Sequence, residues 1–431
     1  MSDAEIGLAA VGLLFAVIAL RLPIGVAMIL ISAGGITLML EYDMMVTLLR
    51  SVPYDFSASW SMSSVPTFLA MGFICYHGQL TSGLFRVAKA WLGLLPGGMA
   101  IATIFAAAGF SAMSGSSVAS AAAMGRIAIP EMTANRYAPS LATGTVAAAG
   151  TLGPLFPPSI ILIIYGIFMQ QPIGKLFLAG VMMGLVTVVF YVAVILLWTR
   201  LHPQDAPRVT NRISRAERWQ ALVSTLPTLV LVVIVFGGLF SGVFTATEAG
   251  AIGAFVAAVI GFASRALTVR GLLQALEEAV STTCVIFIIS IGAHILVRLL
   301  ALSQADQVIS DGIIALEPSR AEFFLIVVLL YLVIGMFLEP LGSMLLTIPI
   351  LFPVLDALDI DLIWFGVILI KLLEVGMLTP PLGLNVFVIK SVVGTLCTTW
   401  SIFRAVSMFI IADVLVVIVA LLFPALILYL T

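Results

Sequence analysis

Gly109-Phe-Ser-Ala-Met-Ser-Gly-Ser-Ser117 is followed by Gly150-Thr-Leu-Gly-Pro-Leu-Phe-Pro-Pro-Ser159, and Gly335-Met-Phe-Leu-Glu-Pro-Leu-Gly-Ser343 is followed by Gly376-Met-Leu-Thr-Pro-Pro-Leu-Gly-Leu-Asn385. The separation is 41 residues in both copies, from 109 to 150 and from 335 to 376. All four stretches are set in apolar sequence, and all four interrupt it. Glycine admits non-helical backbone and proline removes an amide donor, so each stretch breaks a helix where a plain membrane span would continue.

The surrounding composition places these breaks in a bilayer. Of 431 residues, 62% are hydrophobic and 9% charged, with a mean hydropathy of +1.23. So few charges cannot cover a soluble globule of this size, and the chain reads as a polytopic membrane protein. Apolar runs such as Phe177 to Trp198, Leu222 to Phe240 and Ile402 to Leu430 are long enough to cross a hydrocarbon core of about 30 Å as helices. The alternating segments of a membrane β-barrel are absent. A net charge of −2 and the lack of a basic tail exclude a nucleic-acid reading. Cys75, Cys284 and Cys397 stand alone in apolar sequence and read as small buried hydrophobes rather than a disulfide or metal framework. Met1-Ser-Asp-Ala-Glu5 lacks the basic region of a cleaved signal, so 6–20 reads as a retained span.

Full spans are expected near 6–20, 22–40, 62–78, 139–170, 175–200, 221–240, 244–263, 281–297, 361–395 and 400–430. The apolar pairs 97–130 and 322–356 have polar or Gly-rich centres and read as re-entrant hairpins, with arms of half to three-quarters of a normal span. Stretches 82–96 and 303–320 read as interfacial. They could join a moving hairpin domain to a static frame.

Lys and Arg favour the cytoplasmic side of span ends. With both termini outside, the inner side collects Arg21, Arg86, Lys89, Arg126, Arg136, Arg200, Arg208, Arg212, Arg215, Arg218, Arg265, Arg270, Lys390 and Arg404. The outer side keeps Arg50, Lys175, Arg298, Arg320 and Lys371, with most of the acids, among them Glu41 and Glu317. A basic linker at 201–220 divides a first repeat, 1–200, from a second, 221–431. Each has five spans and one hairpin, and because five is odd the second enters the membrane in the opposite sense. The expectation is an all-α, inverted-topology repeat whose broken helices, 139–170 and 361–395, meet near the midplane, with the first hairpin opening to the cytoplasm and the second to the outside.

Unwound carbonyls at this depth survive only against protein or a wet cavity. With the hydroxyls of Ser114, Ser116 and Ser117 on one side, and of Ser343 and Thr379 on the other, they offer neutral oxygens suited to sodium. Paired broken segments of this kind point to the binding sites of secondary transporters. The half-helices restart near Ser159 and Asn385, each 9 residues beyond its opening glycine. Their amino ends suit the carboxylate of an anion, and these two residues are expected to contact substrate or brace the tips. Serine and proline are also ordinary packing material in membrane helices. Packing alone does not require the break to recur at one distance from a serine-containing tip.

Ionisable groups inside apolar runs are functional by default. Lys371 and Glu374 can pair across one helical turn. Glu339 is a cation ligand or an anchor for its hairpin. Asp413 and Glu248 pair with a neighbouring span or face a partner. His77, His202 and His294 show no ligand spacing and read as structural.

The run from Gly109 to Ala119, the Gly-Pro-Leu-Phe-Pro-Pro-Ser of 153–159, the tip from Gly335 to Ser343, the stretch from Gly376 to Asn385 and the Arg21-Leu-Pro-Ile-Gly opening closely resemble the large membrane subunit of tripartite ATP-independent periplasmic transporters. The likeness spans essentially the whole chain. It implies a sodium-driven elevator importer of an organic acid in the bacterial inner membrane, with a separate small four-helix membrane subunit and a soluble periplasmic binding protein as partners. Carried over, Ser114, Ser116, Ser117, Gly150, Gly153 and Pro154 would hold one sodium ion, and Gly342, Ser343, Gly376 and Thr379 a second. Ser117, Thr151, Ser159, Ser343, Thr379 and Asn385 would face the substrate. No nucleotide-binding loop occurs, so ATP is not the expected energy source. The alternatives are a stand-alone sodium/dicarboxylate symporter and an intramembrane protease using Ser111 or Ser116 with His294, for which no Gly-x-Ser-x-Gly signature is present.

Overall fold

A computed structural model describes residues 2–20, 22–40, 42–207, 214–315 and 319–431. Arg21, Glu41, Arg208, Arg212 and Glu317 of the charge count lie outside these residues. The helices of the first half are α1 (Asp3–Ala19), α2 (Ile24–Met39), α3 (Tyr42–Ser57), α4 (Ser64–His77), α5 (Ser82–Leu92), α6 (Gly98–Ser114), α7 (Ser117–Ala134), α8 (Pro139–Gly150), α9 (Ile160–Phe168) and α10 (Ile173–Leu201). Those of the second half are α11 (Arg215–Phe240), α12 (Ala246–Ala263), α13 (Val269–Ser303), α14 (Ala305–Ile314), α15 (Arg320–Phe337), α16 (Pro340–Ala357), α17 (Leu362–Gly376), α18 (Leu384–Val393), α19 (Thr399–Leu422) and α20 (Pro424–Ile427). The order of a short polar helix, two arms, a broken helix and a long helix recurs in both halves. Among the described residues, seven helices, α10 to α13, α15, α16 and α19, are long and apolar enough to cross a membrane by length and composition.

Local chemistry sets the boundaries. Capping boxes start α1 (Ser2 with Glu5), α11 (Ser214 with Glu217), α12 (Thr245 with Glu248) and α15 (Ser319 with Glu322). Glu248 therefore satisfies the amide end of its own helix rather than a neighbouring span. Glu339 likewise accepts from the Gly342 N–H at 3.2 Å and caps α16, with Pro340 in the first helical position. That is the anchoring alternative.

Several expectations are corrected. An amphipathic helix, α3, occupies 42–57, where no element was expected. It exposes Asp43, Arg50 and Asp55 and buries Phe56, the pattern of an interfacial helix. The span expected at 281–297 is α13, whose 35 residues extend about 52 Å. That exceeds a hydrocarbon core of about 30 Å, and the polar residues Arg270, Glu277 and Glu278 lie in its first turns. The hairpin arms, of 17 or 18 residues, run about 26 Å and exceed the expected length. Cys284 is exposed, unlike Cys75 and Cys397.

The core divides into two apolar clusters. One joins α6, α7 and α8 to α18 and α19, through residues such as Met124, Val146, Val386 and Phe409. The other joins α15, α16 and α17 to α9 and to α2, α4 and α13, through Tyr331, Leu346, Phe365 and Ile163. The halves of each broken helix thus belong to different clusters: α9 packs with the second hairpin and α18 with the first. Helix α10 contributes Phe177 to one and Tyr191 to the other.

Candidate functional site

The first tip is a two-residue turn. Helix α6 ends at Ser114, Gly115 takes the left-handed conformation (φ +60°), and Ser116 caps α7 by accepting the Ala119 N–H at 3.4 Å. A Cβ on Gly115 would lie 2.2 Å from the Pro158 carbonyl oxygen, and one on Gly153 would lie 2.6 Å from the Ser116 carbonyl carbon. Only glycine permits this approach. The structure thus brings the tip against the first break, and Ser116, Ser117, Gly150 and Gly153 come together, with Pro154 next along the chain. Ser114 turns aside to share a hydrogen bond with Ser120, at 3.1 Å.

The second set is divided. Gly376 packs backbone to backbone on Gly335, where a Cβ would lie 2.6 Å from the Gly335 Cα. A Cβ on Gly342 would instead meet the Ile24 side chain of α2 at 2.6 Å. Ser343 is buried and donates to the Glu339 carbonyl at 3.0 Å, and Thr379 donates to the Val375 carbonyl at 2.7 Å. Gly342 and Ser343 are held toward α2 and their own turn, while Gly376 and Thr379 form the break.

Charged groups join these elements. Ser117 Oγ donates to Glu374 Oε1 at 2.9 Å, linking the first hairpin to the second broken helix. The expected Lys371–Glu374 pair does not form. Lys371 Nζ instead donates to Asp413 Oδ1 on α19 at 2.5 Å, and also lies 5.4 Å from the centroid of the Tyr191 ring. Lys371 has no exposed surface and drops out of the outer-side charge count. Tyr191 OH donates to Asp413 Oδ2 at 2.9 Å and lies 2.9 Å from Thr151 Oγ1. Sequence reading missed Tyr191. Its signal is a phenol inside an apolar run, since a buried tyrosine hydroxyl needs a partner.

The six expected substrate residues separate on their partners. Ser159 caps α9 by accepting the Leu162 N–H, and Thr151 donates to the Ala148 carbonyl besides meeting Tyr191. Asn385 is fully buried, and among the described residues neither its Oδ1 nor its Nδ2 has a partner. Glu374 Oε2 is in the same condition. Buried polar groups are costly unless something satisfies them; the hydroxyls of Ser32, Thr145 and Ser290 and the Nε of Arg218 share this condition elsewhere among the described residues. The protease alternative finds no support in the packing: His294 lies among the Phe56 and Phe168 rings, with centroids 5.1 and 4.3 Å away, while Ser111 donates to the Ala107 carbonyl.

The chain is similar to known transporters along its length. A family model described as the DctM component of tripartite ATP-independent periplasmic transporters matches residues 11–426. The C4-dicarboxylate TRAP transporter large permease protein DctM of Pseudomonas aeruginosa is 35% identical over 84% of this chain and 84% of its own. The sialic acid TRAP transporter large permease protein SiaM of Vibrio cholerae is 33% identical, with 78% of each chain covered. The 2,3-diketo-L-gulonate TRAP transporter large permease protein YiaN of Escherichia coli is 32% identical, over 88% of this chain and 89% of its own. Among solved structures, the YdaH transporter of Alcanivorax borkumensis superposes with a TM-score of 0.62 at 15% identity, covering 90% of both chains. That likeness is one of fold alone.

Proposed function

The chain belongs to the DctM component family of the tripartite ATP-independent periplasmic transporters, and we propose that it is the sodium-coupled large permease of such a transporter, importing a small organic acid. The observation that carries the ion coupling is the pair of unmatched buried oxygens, Glu374 Oε2 and Asn385 Oδ1, with Glu374 bonded to the Ser117 end of the first hairpin. Relatives named for C4-dicarboxylate, sialic acid and diketogulonate share a carboxylate cargo. Asn385, at the start of α18, is the side chain best placed to meet it.

Sodium is cargo here. For the first site, the tip and the break bring the Ser116 and Ser117 backbone against Gly150 and Gly153, and the Ser116 and Ser117 hydroxyls, which now accept from the Ala119 N–H and donate to Glu374, would turn to the ion. For the second, Gly376 and Thr379 supply the break, and Gly342 and Ser343 would join them through movement of the α16 tip. Bringing an anion into an inside-negative cell costs about 2.3 kcal/mol per charge per 100 mV. Two coupled cations would offset the charge of a dicarboxylate.

The mechanism of this reading is an elevator, in which the hairpins and broken helices move against a frame that includes α2, α4, α12 and α13, and the packing of α15, α16 and α17 on α2, α4 and α13 is then the contact that must slide. The partners of this reading are a small four-helix subunit and a soluble periplasmic binding protein, with both termini of the permease on the periplasmic side of the bacterial inner membrane. The test is uptake into proteoliposomes holding permease and small subunit. An inward sodium gradient should drive accumulation only once the binding protein is added. Equal uptake without the binding protein would favour the stand-alone symporter, and uptake indifferent to sodium would reject the coupling.

A further inference from the structure

We propose that the slot between α15 and α19 is a binding site for one zwitterionic aminophospholipid, with an acyl chain inside it and the phosphoethanolamine headgroup at Arg320, Asp359 and Asp361. The inference stands apart from the sodium coupling read above. Helices α15 and α19 each pack on α17, and between them lies a cavity of about 680 Å³. Its walls are apolar, with Phe324 and Leu332 from α15, Leu372 and Val375 from α17, and Val414 and Ile418 from α19. Just beyond Leu332 and Val375, the backbones of Gly335 and Gly376 meet and close the slot. The charged lining residues are Arg320, Asp359 and Asp361, all at the opposite end, where α15 and α17 begin.

The dimensions are those of one leaflet. Asp361 and Val375 stand about 21 Å apart along α17, somewhat more than the half-thickness, about 15 Å, of the hydrocarbon core. The slot therefore runs from headgroup level to about the midplane. Water finds too few polar partners in such a cavity, and an empty one forfeits the contacts of its walls. A hydrocarbon chain entering from the surrounding bilayer fills it without either cost.

The rim selects the headgroup. Arg320 donates through Nη2 to the Leu358 and Asp359 carbonyls, at 3.2 and 3.3 Å, which sets its guanidinium at the mouth. Nε and Nη1 carry three further N–H donors, and a guanidinium fork matches a phosphate. Asp359 and Asp361 are exposed beside it, so two carboxylates accompany one cation. A lipid that carries an ammonium next to its phosphate complements this rim. An anionic lipid without an amine would set its negative charge against both carboxylates.

The acyl chain has a structural consequence. Leu372 and Val375 stand next to Lys371 and Glu374, which bond Asp413 and Ser117. The lipid would thus lie against the turns of α17 that carry the buried charges, keep water from them, and bind α15 to α19.

The experiment is native mass spectrometry of the purified full chain, given an equal mixture of dioleoyl phosphatidylethanolamine and dioleoyl phosphatidylglycerol. The wild type should retain one lipid and prefer the ethanolamine form by about fivefold. Asp361→Asn, which keeps a capping side chain, should erase most of that preference. Val414→Trp, at a position 42% exposed, should fill the slot and lose the lipid. Equal retention of both lipids, a preference for the glycerol form, or a lipid undisturbed by Val414→Trp would overturn the site. Should the variants fail to fold, the wild type alone decides with an ethanolamine phospholipid that carries a photoreactive diazirine at the end of one acyl chain. Labelling should concentrate in 372–375 and 414–418, and labelling spread over all exposed helices would overturn the site. Loss of the lipid on adding the small subunit would overturn it too, giving the slot to that protein.

Discussion

Lys371 Nζ and Asp413 Oδ1 lie 2.5 Å apart across α17 and α19, with neither side chain exposed. Breaking such a pair from one side leaves the other charge buried alone, at a cost of about 3–5 kcal/mol. Lys371→Met or Asp413→Leu alone should therefore lower the thermal midpoint sharply. The double substitution removes both charges and should lose much less than the sum of the two. Thermal unfolding of the four proteins in detergent measures the coupling, and additive losses would show that the pair is not a unit.

Tyr191 connects this pair to the first break, because its hydroxyl donates to Asp413 and lies 2.9 Å from Thr151 Oγ1. Tyr191→Phe leaves an Asp413 oxygen without its donor, at a cost of about 1–3 kcal/mol. Thr151→Val in the same background should add little, since its partner has already gone. Midpoints of the single and double variants decide this, and independent losses would mean that the Thr151 contact carries no weight.

Glycine at the first tip is a steric requirement. Gly153→Ala would place a methyl carbon 2.6 Å from the Ser116 carbonyl carbon and 2.7 Å from the Ser117 nitrogen, and both are backbone atoms. The tip must then lift off the break and separate the oxygens assigned to the first ion. Sodium-driven uptake should fall by about tenfold or more. Gly174→Ala and Gly312→Ala, which meet nothing within 4 Å, should transport as the wild type does. Retained uptake in Gly153→Ala would separate the tip contact from ion binding.

Much of this was legible because glycine and proline act locally. Helix α8 ends at Gly150 and α17 at Gly376, the two residues that open the repeated motif, and the first hairpin turns at Gly115 within its serine run. What the sequence withheld depends on distance. Lys371 and Glu374 sit one turn apart, yet the ammonium bonds Asp413, which lies 42 residues along the chain. The Ser117–Glu374 contact spans 257 residues, and periodicity along one helix carries no trace of it. Helix α3 escaped notice because Asp43, Arg50 and Asp55 break its apolar run, although the same charges fit one exposed face.

The arm lengths make the membrane sense of the hairpins the decisive measurement. Arms of 17 or 18 residues run about 26 Å at full helical rise, and those of the second hairpin, α15 and α16, are long and apolar enough to cross the hydrocarbon if they stand upright. A re-entrant hairpin must then tilt its arms or sink its tip. Single cysteines at Ala134 and Ala357, which are exposed at the far ends of α7 and α16, report where each hairpin enters. Cysteines at Ser116 and Ser343 report where each tip lies. The background should replace the exposed Cys284. Under the inverted repeat, an impermeant maleimide added outside whole cells labels Ala357→Cys rapidly, and labels Ala134→Cys only after the cells are opened. Both tip cysteines should react far more slowly than these, since Ser343 and the flanks of Ser116 are packed inside the protein. If Ser116→Cys and Ala134→Cys reacted at bulk-solvent rates from opposite sides, the first hairpin would be two full spans. If Ala134→Cys and Ala357→Cys reacted from the same side, the two halves would share one orientation. In either case the meeting of opposed breaks in the bilayer interior, on which the ion sites depend, would be excluded.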